Sequence, residues 1–169
     1  MCVMEAVSVA AGLAWTDSPA CTNPALALAA QLINDALSDT TRTCLVELVP
    51  ALSRASGRDL GTDWRVVEAA CQFAATGRSR RRSRTMNRWM WLAMRLDGPR
   101  LRKPMAWLVR QGAARRAVEA AVVSVLTSRE GDPETRCVEM LARMTNVAVP
   151  HSSVGAVAVP TVPTVVSSG

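Results

Sequence analysis

The chain has no Tyr, one Phe and one His, and only one of its 20 basic residues is Lys. Ile, Tyr and Phe are the residues that strands favour, and they are nearly missing. Ala, Arg, Leu and Met, which favour helix, are plentiful. The expectation is an all-α protein. The lone His151 stands beside Pro150 near the C-terminus, so no Ser–His or Cys–His nucleophile pair falls on the helical part. No Gly-rich phosphate loop of either common type is present, and the carboxylates are scattered. Asp35 and Asp39 can share one helix end, but capping explains both. The five Cys are widely spaced and form no Cys-x-x-Cys pair, which with a single His excludes a structural zinc set. Met1 to Trp15 carries only Glu5 and lacks the positive start of a secretory signal. No uncharged apolar run reaches the length of a membrane span outside the Pro-interrupted C-terminal stretch. These absences point to a soluble, cytoplasmic, non-enzymatic protein with reduced thiols and no cofactor.

What is present is basic charge in one place. The segment from Arg78 to Arg116 holds 13 Arg and Lys and one acid, Asp97, for a sum of +12. The whole chain carries +6, so everything outside that segment sums to −6. Its first seven residues, Arg78 to Arg84, form a basic loop of the kind that repels itself and calls for an anionic partner.

At 169 residues the chain is the size of one domain. Residues 1–20 read as an irregular lead or a short helix, residues 21–145 as a bundle of five or six helices, and residues 146–169 as an uncharged, extended tail rich in Val, Pro, Ser and Thr. Thr22 or Asn23 can cap a helix with Pro24 at its first position, and Leu26, Ala29, Ala30, Ile33 and Leu37 keep helical spacing. Ser38–Asp39 restarts the chain. Leu45, Leu48, Val49 and Leu52 line a second helix that Pro50 breaks or kinks near Val49. Thr62 reads as the cap of a third helix, with Trp64, Val67, Ala70, Cys71 and Ala74 on one face. Met86, Trp89, Met90, Ala93 and Leu96 form the apolar face of a fourth, stopped by Asp97-Gly98-Pro99. Pro104 opens a long helix whose second half, Ala117 to Leu126, is nearly all apolar and reads as a core helix. Asp132-Pro133 opens the last, with Val138, Leu141 and Ala142 inward.

The run Asp17-Ser18-Pro19-Ala20-Cys21, then Pro24, Asn34-Asp35-Ala36-Leu37, Leu48-Val49-Pro50 and Asp63-Trp64 resembles short helical proteins of high-GC actinobacteria and their mobile elements. The resemblance covers about residues 15–75. It implies a helical fold and no particular activity.

For the basic segment, the first expectation is a polyanion, most simply a nucleic-acid backbone. Arg78, Arg80, Arg81, Arg82, Arg84 and Arg88 are the expected phosphate contacts, with Arg102 and Lys103 across the turn. Trp89 and Trp91 are candidates for base stacking or an interface. A helix-turn-helix reading fails. Gly98 at the turn puts Met94 where a small residue is needed and Pro104 inside the recognition helix. The alternative partner is an acidic protein surface met by the same Arg, Trp and Met side chains. The blander reading pairs these Arg with acids such as Glu47, Asp59 and Glu68 as a solvated face. Thr85 to Leu96 has the composition of a helix lying on anionic lipid, but a domain of this size needs that apolar face for its core.

Overall fold

The computed structural model describes residues 2–57, 59–74 and 109–149, the first three of the last stretch by backbone only. The described residues are all-α, without a strand among them. In chain order they form α1 (Val3–Ala10), α2 (Pro24–Ala36), α3 (Asp39–Arg42), a 3-10 helix (Thr43–Leu48) and α4 (Val49–Leu52). There follow α5 (Leu60–Ala74), a π-helix (Val109–Ala114), α6 (Arg115–Leu126) and α7 (Pro133–Ala148). The expected helix around Met86–Leu96 and the start at Pro104 lie outside the described residues, as does the tail beyond Val149.

Four helices make the centre. Each of α2, α5, α6 and α7 touches the other three. Their facing sides are rich in Ala, including Ala29, Ala30, Ala70, Ala117 and Ala121, all fully buried, and small side chains let helix axes approach closely. Larger residues fill the layers between: Leu26, Ile33, Met140, Leu141 and Met144 are all at 0% exposure. On one flank α1 packs against α2, the 3-10 helix and α4, and adds Met4 and Val7 to the core.

Most of the apolar faces read from spacing are the buried ones. Ile33, Leu45, Leu48, Leu52, Ala70, Val138, Leu141 and Ala142 are all fully buried. Pro50 lies where expected at a break: the stretch 39–52 is an α-turn, a 3-10 helix and a second α-turn, with Pro50 in the first turn of α4, where its missing N–H costs nothing.

Three boundaries differ from the sequence reading. Of the two readings of residues 1–20 the short helix is the one present, and the helical body begins before residue 21, because Val3–Ala10 is helical and part of the core. No Ser, Thr, Asp or Asn caps it; instead Glu5 bonds back to the Cys2 N–H at 2.7 Å, and Asn34 of α2 accepts the Val3 N–H at 3.2 Å. The third helix starts earlier, at Leu60, and its cap is Asp59 rather than Thr62: the Asp59 carboxylate accepts the Thr62 N–H at 2.9 Å and its hydroxyl at 2.6 Å. The last helix runs to Ala148, which is buried, so Asn146 and Val147 belong to α7 and not to the tail.

Candidate anion-binding surface

Of the expected contacts, Arg78, Arg80, Arg81, Arg82, Arg84, Arg88, Arg102, Lys103, Trp89 and Trp91 lie outside the described residues. What the structure describes of the basic segment is its last part, the π-helix and the first turn of α6. The π-helix runs directly into α6, whose cap position Ala114 already has helical dihedrals. The backbone N–H groups there are spent within the helix, so the start of α6 is not a free helix N-terminus. What this turn presents to solvent is side chains. Arg115 and Arg116 are both exposed. Arg115 donates to Glu119 one turn on at 2.8 Å, with its side chain still 56% exposed. An exposed pair of this kind contributes only a few tenths of a kcal/mol, about 0.3–0.5. The side chains of Ala117, Val118 and Ala121 face inward and seat this turn on the core. One face of α6 is thus packed against the body while its basic first turn stays in water.

Three arginines elsewhere in the helical body, Arg42, Arg65 and Arg136, make contacts within it, while Arg54, Arg129 and Arg143 are exposed. Arg42 bonds the carbonyls of Asn34 and Leu37, both at 3.0 Å, closing the C-terminal end of α2, and pairs with Asp39. Arg65 donates to the Thr62 hydroxyl at 2.9 Å. Arg136 bonds Ser128 and the Glu130 carbonyl while its guanidinium lies 5.6 Å from the Phe73 ring centre, tying α7 to α5.

The polar groups inside the body hold helix ends together. Asn23 uses all four hydrogen-bonding positions of its amide. Its Oδ1 accepts the Ala25 and Leu26 N–H groups, while Nδ2 donates to the Gly57 carbonyl and to Asp63 Oδ1, both at 2.6 Å. Its backbone N–H reaches the Ala55 carbonyl at 2.7 Å, and Thr22 donates to the Leu52 carbonyl at 3.0 Å. The starts of α2 and α5 and the loop after α4 thus share one buried junction. Glu134 in the first turn of α7 accepts from the Ser38 hydroxyl at 2.7 Å, the Ser38 N–H at 3.1 Å and the Thr41 hydroxyl, and these donors, Thr41 first, hold its carboxyl below the ordinary range. Asp59, one of the acids considered as a partner for the basic loop, is engaged at its cap, where Thr62 lowers its carboxyl in the same way.

None of the five Cys is in a disulfide, and Cys44, Cys71 and Cys137 are buried on helix faces. Burial pushes both Cys71 and Cys137 up to about 11, which suits small apolar side chains rather than nucleophiles. Among the described residues no three His, Cys, Asp or Glu come together as a metal site, and no helix is long and apolar enough to cross a membrane.

Comparison with protein families, curated proteins and solved structures finds no match to this chain.

Proposed function

We propose that this protein is a helical, non-enzymatic polyanion binder whose segment 78–116 meets a nucleic-acid backbone. The observation that carries the reading is the division of charge: +12 in that segment against −6 in the rest of the chain. A chain that only needed solubility would intersperse its charges, whereas gathering them creates a local field that attracts phosphate. Two features of the fold support it. The described helices bury a shared core from Val3 to Ala148. Arg115 and Arg116, at the edge of the basic segment, stand exposed to solvent. The binding is to backbone and not to base edges, because the arrangement around Gly98 does not fit a major-groove reading motif.

The second reading, an acidic protein surface as partner, rests on Met86, Trp89, Met90 and Trp91 among the arginines, a mixture common at protein interfaces. Fluorescence anisotropy with labelled duplex DNA, single-stranded DNA, single-stranded RNA and poly-glutamate separates the two. Tighter binding to the nucleic acids than to poly-glutamate of equal charge is the expected result. Equal or tighter binding to poly-glutamate overturns the nucleic-acid reading and moves the weight to a protein partner.

A further inference from the structure

The directions of the four central helices sort the exposed arginines of the body. The starts of α2 and α5 lie together, because Asn23 at the cap of α2 donates to Gly57 and to Asp63 in the first turn of α5. The far ends of both helices meet the start of α7. Ser38, just past α2, bonds Glu134, and Arg136 lies 5.6 Å from the centre of the Phe73 ring near the end of α5. α7 therefore runs antiparallel to α2 and α5. A short loop, residues 127–132, joins α6 to α7, so α6 ends where α7 starts and begins at the opposite end. The π-helix that leads into α6 touches both α2 and α5. One end of the bundle thus holds the starts of α2, α5 and α6 and the finish of α7.

Exposed arginines collect at that end. Arg115 and Arg116 stand in the first turn of α6. Arg65 is five residues into α5 and Arg143 is five residues short of the end of α7. At about 1.5 Å per residue both lie within roughly 8 Å of that end. Arg54 precedes Ala55, whose carbonyl accepts the Asn23 N–H at the start of α2. All five are exposed. α5 packs against both α6 and α7, so Arg65 sits on a helix flanked by those that carry Arg115, Arg116 and Arg143. Only Arg115 and Arg116 belong to the basic segment; folding brings the other three to them. The acids at this end are engaged: Asp63 is buried and receives Asn23, Asp59 caps α5, and Glu119 pairs with Arg115. The exposed acids Asp35, Asp39, Glu130 and Asp132 stand at the opposite end, where Arg42 and Arg136 are bonded to carbonyls.

We propose that this rim of Arg54, Arg65, Arg115, Arg116 and Arg143 is a phosphate-contacting surface of the body, which extends the contact of segment 78–116 along a nucleic-acid backbone. The inference rests on the polyanion reading given above. Positive charge at one end and exposed acids at the other orient an approaching polyanion toward the rim. Guanidinium groups suit the task, because their planar fork meets phosphate oxygens bidentately. Two helices abreast, each about 10 Å in diameter, make a rim roughly 20 Å wide, and a duplex carries one charge for about every 1.7 Å of its axis, so several phosphates fall within it.

The test uses the full chain and a labelled DNA duplex, with affinity read by anisotropy from about 50 to 300 mM salt. The variants are Arg143→Gln, the pair Arg54→Gln with Arg143→Gln, and Arg129→Gln. Arg54 and Arg143 are exposed and lie outside segment 78–116, while Arg65 is kept because it bonds Thr62 at the start of α5. Arg129 is an exposed arginine at the opposite end, in the loop between α6 and α7. The slope of log affinity against log salt is expected to fall by about 1 in Arg143→Gln and by about 2 in the pair, and to hold in Arg129→Gln. A pair whose slope equals that of a steep wild type overturns the proposal and leaves the polyanion reading standing. A loss in Arg129→Gln equal to that in Arg143→Gln also overturns it, because net charge and not the rim then sets the affinity. A wild type with no salt-dependent binding overturns the polyanion reading and this surface with it.

Discussion

Asn23 concentrates more of the fold's specificity than any other polar side chain described. Its amide caps α2 and donates to Gly57 and Asp63, which stand 34 and 40 residues away. Asn23→Ala loses a cap and two buried donor bonds, one of them to a carboxylate. The expected cost is about 2–4 kcal/mol in urea denaturation. Asn23→Asp keeps the cap but sets a second carboxylate against Asp63, so its deficit grows between pH 3 and 7, a window of about the ordinary carboxylate range. Gly57 is required next door, because a Cβ there would stand 2.8 Å from Thr62 Cγ2. Gly57→Ala is expected to cost about 1–3 kcal/mol, and Thr62→Ser in the same chain to recover part of it. Glu134 gives a pH prediction. Its carboxyl is lowered from the ordinary 4.5 by Thr41 and Ser38, so its contribution is present above that value and is lost as the pH falls through the folded one. Wild type therefore exceeds Glu134→Gln in stability at pH 7, and the gap closes on acidification. An undiminished gap at pH 3 would show that the charge is irrelevant there. Of this, only the cap was legible in the sequence. Asn-Pro before an apolar repeat announces a helix start, but no local pattern tells which distant carbonyl and carboxylate share the amide.

At the scale of elements, legibility followed periodicity. α2, α6 and α7 repeat apolar residues every three or four positions, and those positions are the buried ones. The break at Pro50 followed from a missing N–H. The failures came where side chains act without periodicity. α1 is two turns long and is capped by Glu5 reaching back and by Asn34 from another helix, so the sequence left a short helix and an irregular lead both open there and did not show that it joins the core. At α5 two capping residues stand three apart, and the carboxylate of Asp59 serves the start while Thr62 is its first customer. That α1 is integral is testable. Met4 is fully buried, so Met4→Ala should cost about 2–5 kcal/mol by thermal or urea unfolding. A loss under 0.5 kcal/mol, about the scatter for a surface change, would return residues 2–10 to the status of an appendage.

For the whole molecule, the thiols and the charge are the two readouts. Iodoacetamide at pH 8 should modify Cys2 and Cys21, which are half-exposed, and spare Cys44, Cys71 and Cys137 until the chain is denatured. Mass spectrometry of the native and denatured protein checks this. The helical body was legible from composition, and the charge division was legible from counting. The candidate contacts in the basic loop were legible as residue types only, since a block of arginines names the sign of its partner and not its identity. The measurement that tests the central claim most directly is the salt dependence of binding to a labelled duplex, for wild type and for the chain with Arg80, Arg81, Arg82 and Arg84 changed to Ala. Each phosphate neutralised adds about 0.9 to the slope of log affinity against log salt. The account predicts a steep slope for wild type that falls by about 3–4 in the variant. Wild-type binding absent at 50 mM salt, or a slope the four substitutions leave unchanged, would contradict it; both are conditions of roughly the usual nucleic-acid assay range.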